Sequence, residues 1–323
     1  MSLTAIILSG CGEQNSSVTS VSLSTSEPTS STEETSLVAD SSSLEDVSVI
    51  SSSDTSSVEE SSQSEESSSS SAEDDLPEYY RDKGLDITET GATLKTQLFN
   101  IINSHTDVGY SGLYTHYMTT DVKYIDDDGK KHLWDMYSAC DYLMPDDENH
   151  SNYTKEGDNY NREHTIPQSI FSKNAPMVSD IFHVYPTDSF VNGKRGDHPH
   201  AEVATASFTS SNGTKVGTSA TNNVSGTVCE PADEYKGDFA RTYFYFVTCY
   251  QDKLSGFGNF ATFSKNTYPS LATWAIQLYK KWSDDDPVSQ KEIDRNNAAY
   301  LVQGNRNPFI DFPNIEDQVW NNY

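Results

Sequence analysis

Apolar residues recur at helical spacing in several segments of the chain beyond residue 90. Leu94, Leu98 and Ile101, for example, share one face of a helix. Asp286 and Pro287 are a suitable N-cap and first helical residue for the last of these segments. The pattern predicts four helices, over about 91–104, 236–250, 271–282 and 287–302.

Two further segments have other patterns. Residues 110–142 alternate between apolar and polar types, and an Asp-Asp-Gly sequence at 127–129 predicts a turn between two strands. Residues 204–227 are rich in Ser, Thr, Asn and Gly, which predicts an excursion over the surface. No internal repeat is visible, and the 247 residues of 77–323 are enough for one large or two small cores.

The apolar pattern is missing from residues 12–76. This segment holds 26 serines and 15 acidic residues but no Lys or Arg. Such a composition cannot bury enough apolar surface to offset the entropy of the chain, so we predict a disordered acidic linker. A flexible segment of this length reaches ~40–50 Å, which suits a tether.

The first eleven residues contain the sequence Leu8-Ser9-Gly10-Cys11 after a short apolar stretch. It resembles the lipobox of bacterial lipoproteins, which implies a partial signal over 1–11 and lipidation of Cys11; a chance match is the alternative. We expect an exported protein, lipid-anchored at the outer face of the bacterial cell membrane or secreted. The sequence contains no run of about 18 apolar residues, so it predicts no transmembrane helix.

Charge and cysteine content restrict the function of residues 77–323. The whole chain has a formal net charge of -28, and the domain remains acidic without the linker. A basic nucleic-acid-binding module is therefore excluded at the level of bulk charge. Four cysteines in 323 residues exclude a scaffold built on disulfides. Cys140, Cys229 and Cys249 can form at most one disulfide within the domain.

Candidate chemistry is concentrated between residues 161 and 195. A strand ending at His164, a strand over 181–185 and a helix beginning near Thr187 would bring Glu163, His164 and Asn192 to one point. Carboxylate and carboxamide oxygens suit a hard divalent cation such as Mg²⁺ or Ca²⁺. A neutral imidazole beside them can take a proton from a water that attacks phosphorus. A structural histidine bonded to the backbone is the alternative for His164.

A zinc site is a second hypothesis for the same region. His183, His198 and His200 lie close in sequence to Asp180 and Asp197. Zinc requires three or four converging nitrogen or sulfur ligands, whereas the short His-Pro-His loop at 198–200 is more typical of a solvent-facing segment. We expect His183 to pack in the second strand, behind the site.

Several motifs, in order along the chain, resemble the bacterial endonuclease I family. The central run is NREHTIPQS at 161–169, followed by D-x-x-x-V-x-P at 180–186 and V-N-G-x-R at 191–195. Further similar segments are LWDMYS at 133–138, CEP at 229–231, KGDFAR at 236–241, DPV at 286–288 and QGNRNPF at 303–309. The resemblance implies an α+β fold, largely helical around a ββα-metal (His-Me finger) core, with 77–323 as the catalytic domain.

The resemblance also implies roles for individual residues. His164 would be the general base, and Glu163 and Asn192 the ligands of one divalent cation, Mg²⁺ first and Ca²⁺ or Mn²⁺ as alternatives. Arg195 would be a phosphate-binding or a structural partner. Some members of the family carry an insertion before the position of Asp180, and an arginine in it helps to stabilise the phosphate. This chain lacks that insertion.

Three residues are candidates to replace that arginine in substrate binding, namely Lys173, Lys194 and Arg306. The rest of the QGNRNPF segment is expected to be architectural. A local positive strip would offset the acidity of the domain. Its expected members are Lys194, Arg195, Lys236, Arg241, Arg295 and Arg306.

The function expected from this resemblance is a non-specific, metal-dependent endonuclease that hydrolyses phosphodiester bonds of extracellular DNA, with RNA left open. Contacts would be to the nucleic-acid backbone and not to base edges. The membrane would be contacted only through the lipid anchor, and no protein partner is implied. The alternatives are an inactive surface module that binds nucleic acid or another polymer, and a phosphoesterase of small molecules.

Overall fold

The computed structural model describes residues 77–148 and 152–323. The predicted lipobox at Cys11 and the predicted linker lie outside the described residues. The α-helices in the described ranges are α1 Glu78–Arg81, α2 Gly91–Ile102, α3 Leu113–Thr120, α4 Ser189–Arg195, α5 Lys236–Cys249, α6 Thr273–Asp285, α7 Gln290–Gln303, α8 Pro308–Asp311 and α9 Ile315–Val319. The strands are β1 Val122–Ile125, β2 Lys131–Leu133, β3 Leu143–Met144, β4 Tyr160–His164, β5 Val184–Asp188, β6 Val203–Thr209, β7 Lys215–Ser219 and β8 Thr227–Glu230. The fold is α+β, with more helix than strand, as predicted.

Helix α5 lies in the core of this domain. Thirteen of its fourteen residues are buried, and it packs against α2, α6 and α8. The ring of Phe244 lies 4.8 Å from that of Trp320, and the ring of Phe246 lies 4.8 Å from that of Tyr250. Each fully buried aromatic ring contributes roughly 1.5–3 kcal/mol, so α5 holds the helical part of the domain together.

Three small antiparallel sheets complete the fold, with strand orders β1-β2-β3, β4-β5 and β6-β7-β8. In the two-stranded sheet, Glu163 pairs with Tyr185 and His164 with Val184. Strand β5 runs directly into α4, which contacts both strands. Residues of β4 and α4 that are far apart in sequence are thereby brought together.

One sequence prediction about strands is wrong, and one segment predicted to lie on the surface contains strands. Residues 113–120 are helical, because Leu113, Tyr117 and Thr120 are buried at helical spacing; only the hairpin around the turn at Gly129 forms as predicted. The surface excursion over 204–227 is part of the β6-β7-β8 sheet. Its Ser and Thr residues point mainly into solvent along β6, which gave the segment the composition of a loop.

Smaller shifts have local causes. Strand β5 begins at Val184, because the backbone N–H groups of His183 and Val184 first close a turn onto the carbonyl of Asp180. Helix α7 begins after Ser289, whose side chain forms a capping box with Glu292, so Asp286 does not cap it. The three cysteines in the described ranges are free. Within those ranges, no helix has the length and apolar content to cross a bilayer.

Candidate active site

The site is built where β4 ends and α4 begins. The carboxylate of Asp188, the last residue of β5, accepts a hydrogen bond from the backbone N–H of Val191 at 2.8 Å and so caps α4. It also accepts hydrogen bonds from the Tyr142 hydroxyl and from the backbone N–H of Gly157. These contacts fix the first turn of α4, which carries Asn192, against the end of β4.

A cavity of about 270 Å³ opens at this junction. Five of the residues proposed from the sequence for catalysis, cation binding or substrate binding line it, namely Glu163, His164, Lys173, Asn192 and Arg195, and so does Asp197 from the zinc hypothesis. Lys194 and Arg306 are not among its lining residues. The ammonium group of Lys194 lies 4.8 Å from the centre of the Phe190 ring, and the guanidinium of Arg306 is bound to Asp311 and Asn297. Their role in substrate binding stays a prediction.

The imidazole of His164 has one ring nitrogen held by the backbone. Its Nε2 lies 3.0 Å from the main-chain oxygen of Val178. Because a carbonyl oxygen only accepts, Nε2 carries the proton and Nδ1 keeps its lone pair. Burial, assisted by the neighbouring His183, lowers the pKa of His164 to about 3. The ring is therefore neutral near pH 7, with Nδ1 able to accept a proton.

The two oxygens of the buried Glu163 carboxylate have different surroundings. Oε1 accepts hydrogen bonds from the Tyr137 hydroxyl at 2.9 Å and from the guanidinium of Arg195. Neither of these donors binds Oε2. Burial raises the pKa of this carboxyl, while the Arg195 charge and the Tyr137 hydrogen bond act in the opposite direction.

The side-chain amide of Asn192 is oriented by its nitrogen. Nδ2 donates to Oδ1 of Asn161 at 2.7 Å and to the main-chain oxygen of Arg162 at 3.2 Å. The amide oxygen Oδ1 is thereby turned away from β4. Oδ1 of Asn192 and Oε2 of Glu163 belong to side chains that line one cavity. Two oxygen donors of this kind fit a hard divalent cation that completes its shell with water.

Arg195 acts inside the protein. Its side chain is buried and donates to Glu163, to the main-chain oxygens of His164 and Thr165, and to that of His198. Of the two roles considered from the sequence, this geometry favours the structural one. The guanidinium holds the Glu163 carboxylate and the end of β4 in place.

A buried network behind Glu163 was not predicted from the sequence. The Tyr137 hydroxyl donates to Glu163 and accepts from Nε2 of His200 at 2.8 Å, and Nδ1 of His200 lies 3.0 Å from the Tyr243 hydroxyl. The expectation that His200 faces solvent is wrong, because its ring is fully buried and stacks on Phe239. Only the LWDMYS segment around Tyr137 pointed to this region.

The zinc hypothesis is not supported by the positions of its residues. His183 is buried, and its Nε2 lies 2.5 Å from the main-chain oxygen of Met177. In the described ranges, the only cluster of His, Cys, Asp and Glu side chains close enough to share a metal ion is His105, Asp180 and Cys249. Asp180 in that cluster already accepts hydrogen bonds from two tyrosines, a glutamine and the backbone, which gives it a structural role.

The predicted positive strip is wrong for most of its members, because they form internal ion pairs. Arg241 makes two hydrogen bonds to Glu292. The other pairs are Arg195 with Glu163, Lys236 with Glu230, Arg295 with Asp121 and Arg306 with Asp311. The charges of these cations are compensated within the domain.

Arg162 is a cavity residue that the sequence reasoning missed. It lines the cavity beside Glu163 and His164. Its Nη1 donates to the main-chain oxygen of Tyr110 at 2.7 Å, and its guanidinium lies 3.6 Å from the centre of the Tyr110 ring. It forms no ion pair within the described ranges, and its Nε has no hydrogen-bond partner there. Arg162 and Lys173 therefore supply positive charge at the cavity.

Comparison with known proteins identifies the class of this chain. The family model for Endonuclease I matches residues 90–314, and the chain belongs to the endonuclease I family, which is a family of nucleases. It is 30% identical over 252 residues to the extracellular ribonuclease of Bacillus amyloliquefaciens, covering 76% of this chain and 79% of that protein. It is also 30% identical over 236 residues to the extracellular ribonuclease of Bacillus subtilis (strain 168), covering 72% and 75%.

Proposed function

We propose that this chain is an exported, non-specific endonuclease that hydrolyses phosphodiester bonds of DNA and RNA with the help of one divalent cation. The observation that carries the proposal is the meeting, in one cavity, of the His164 imidazole with the oxygen donors of Glu163 and Asn192. Strand β4, strand β5 and helix α4 follow one another in the order of a ββα-metal core. We assign them to that core.

In this mechanism His164 is the general base. The Val178 carbonyl holds the ring at Nε2, so Nδ1 takes a proton from the attacking water. The water oxygen forms a bond to phosphorus as the bond from phosphorus to the leaving oxygen breaks. Tyr110 lies on one side of the imidazole, with a ring separation of 5.8 Å, and restricts its movement.

Glu163 and Asn192 would hold the cation, and Arg195 and Tyr137 orient the carboxylate for it. When bound, the cation supplies positive charge that stabilises the phosphate and the leaving oxygen. Mg²⁺ is our first choice, with Ca²⁺ and Mn²⁺ as alternatives, since all three accept oxygen ligands. Arg162 and Lys173 add positive charge for the phosphate of the substrate.

The choice of substrates combines two observations. Both similar Bacillus proteins are named ribonucleases, which supports RNA as a substrate beside DNA. The cations at the cavity are suited to phosphate groups, which every sequence shares, so we expect little sequence preference among cleavage sites.

Export is supported by the word extracellular in the names of both relatives. The proposal includes three segments, namely a lipobox segment over 1–11, an acidic Ser-rich linker over 12–76 and a catalytic domain over 77–323. Lipidation of Cys11 would place the enzyme at the outer face of the cell membrane. Mass spectrometry of the protein extracted from membranes tests that modification.

The function is tested by incubating the full chain with supercoiled plasmid and, separately, with ribosomal RNA. Each reaction is run with Mg²⁺, Ca²⁺ or Mn²⁺ and with EDTA, beside the His164→Ala variant. Cleavage that requires a cation and is lost in the variant supports the proposal. Absence of cleavage with every cation, together with retention of the nucleic acid in a gel shift, would instead identify an inactive binding module.

A further inference from the structure

A second cavity, of about 570 Å³, adjoins the first one. Arg162 lines both cavities. One wall is formed by Tyr110, which precedes α3, and by Tyr114 and Met118 of α3, and Glu148 lies in the lining as well. The volume lies within the range of small-molecule sites, which is roughly 300–1,000 Å³. Neither the general base nor the oxygen donors for a cation line this second cavity.

The wall of this cavity is aromatic and stands next to His164. The Tyr110 ring lies 5.8 Å from the imidazole of His164, and 37% of Tyr110 is exposed. Tyr114 is mostly buried and packs at 4.5 Å against the guanidinium of Arg162. Exposed tyrosine rings beside a catalytic cavity are surfaces on which a planar, uncharged ring can stack.

The linings of the two cavities differ in the number of charged side chains. Among the described residues, the first cavity is lined by the cations Arg162, Lys173 and Arg195 and by the carboxylates Glu163 and Asp197. The second cavity has Arg162 on the wall shared with the first and a single carboxylate, Glu148. Its other described lining residues are uncharged, and two of them are tyrosines. The second cavity therefore offers less charge for phosphate groups and more aromatic surface for the planar ring of a base.

We infer that the second cavity is a subsite for one unpaired nucleobase, that of a nucleotide next to the phosphate under attack. The inference rests on the proposed nuclease function. Tyr110 and the Arg162 guanidinium that lies 3.6 Å from its ring centre provide the planar surface for the base, and Arg162 joins the base site to the phosphate site. A base held in a stable duplex cannot enter without leaving its stack. The enzyme should accordingly prefer single-stranded or locally unpaired nucleic acid.

The inference is tested by binding, with cleavage suppressed. Full-chain His164→Ala protein is titrated in Mg²⁺, by fluorescence anisotropy, with single-stranded oligodeoxyadenylate of about a dozen nucleotides. The same titration is made with an abasic deoxyribose-phosphate chain of the same length. Oligodeoxyadenylate should bind roughly tenfold more tightly, which is within the range expected for loss of aromatic stacking.

A second set of variants locates the effect, each in the His164→Ala background. Tyr110→Ala should remove the difference between the two oligonucleotides, and Tyr110→Phe, which keeps the stacking face, should retain it. Tyr124→Ala is the matched control, because Tyr124 is also exposed, at 44%, and lines neither cavity. It should retain the full difference.

The outcomes separate this inference from the function on which it rests. Equal affinity of the His164→Ala protein for the two oligonucleotides would overturn the base subsite and leave the nuclease proposal intact. A difference that persists in Tyr110→Ala would overturn the assignment to this cavity. Failure to bind either oligonucleotide, combined with no cleavage by the unaltered chain, would overturn both proposals.

Discussion

The main-chain oxygen of Val178 lies 3.0 Å from Nε2 of His164, and this contact determines which ring nitrogen can act as a base. The imidazole packs between Tyr110 and Phe171, with ring separations of 5.8 and 6.4 Å. The carbonyl and the two rings together leave Nδ1 as the nitrogen with a free lone pair.

Removing the imidazole should leave a space that an exogenous base can use. His164→Ala should lower kcat by about 10²–10⁴-fold, the usual contribution of a general base. Added imidazole should restore part of that loss. Turnover measured against imidazole concentration checks the prediction, and Glu163→Ala, which keeps His164, is the control that should not respond. Undiminished activity in His164→Ala would show that the base lies elsewhere.

Tyr137 should influence cation affinity without touching the cation. Tyr137→Phe removes one of the two donors to Oε1 of Glu163 and separates His200 from that carboxylate. Loss of such a supporting hydrogen bond typically weakens metal binding by about 10–100-fold. Calorimetric titration of Mg²⁺ measures the change. Tyr245→Phe is the matched control, because the Tyr245 hydroxyl is also buried but binds Asp180 and not Glu163. Equal Mg²⁺ affinity in the two variants would contradict the role of Tyr137.

Gly237 is required by close packing. A Cβ atom at this position would overlap the main-chain oxygen of Asp286 and the guanidinium of Arg241. Gly237→Ala should therefore lower the free energy of unfolding by about 1–3 kcal/mol, as overpacking does. Urea denaturation measures the loss. The comparison is Gly256→Ala, since no heavy atom lies within 4 Å of the added methyl there; equal stabilities of the two variants would refute the explanation.

Asp135 should make stability depend on pH. Burial raises the pKa of the Asp135 carboxyl from its ordinary value of 3.8 to about 7. Between these two pH values the folded protein therefore keeps a proton that the unfolded chain releases. The stability contributed by this proton is fully present below about pH 4 and is lost as the pH rises to about 7. The Asp135→Asn variant has no proton to lose at this position. Its free energy of unfolding, relative to that of the unaltered protein, should therefore rise between pH 5 and pH 8. Urea denaturation of both proteins checks this, and a constant difference would contradict the buried protonated carboxyl.

The sequence predicted which residues of the candidate site come together within one short unit. Glu163, His164 and Asn192 belong to two paired strands and the helix that follows, so local pattern and motif spacing were sufficient to bring them together. The predicted helices over 91–104 and 236–250 were confirmed for a related reason. Their buried faces recur at helical spacing within each segment.

The sequence could not reveal contacts that depend on tertiary packing. The charges of Arg241 and Arg295 are compensated by Glu292 and Asp121, which lie far from them along the chain, so a positive strip was predicted where internal ion pairs form. His200 was expected in solvent because its loop sequence does not show that it packs on helix α5. Arg162 was overlooked because its role is defined by Tyr110 and Tyr114, which lie in a segment predicted as strand.

The central claim is that one cavity combines a base at His164 with a cation site at Glu163 and Asn192. It is tested most directly by measuring plasmid cleavage and Mg²⁺ binding for the unaltered chain, His164→Ala and Glu163→Ala under identical conditions. The account predicts that both variants lose cleavage, that His164→Ala still binds Mg²⁺, and that Glu163→Ala binds it more weakly. Cleavage at the unaltered rate in either variant, or unchanged Mg²⁺ affinity in Glu163→Ala, would contradict the assignment of the site.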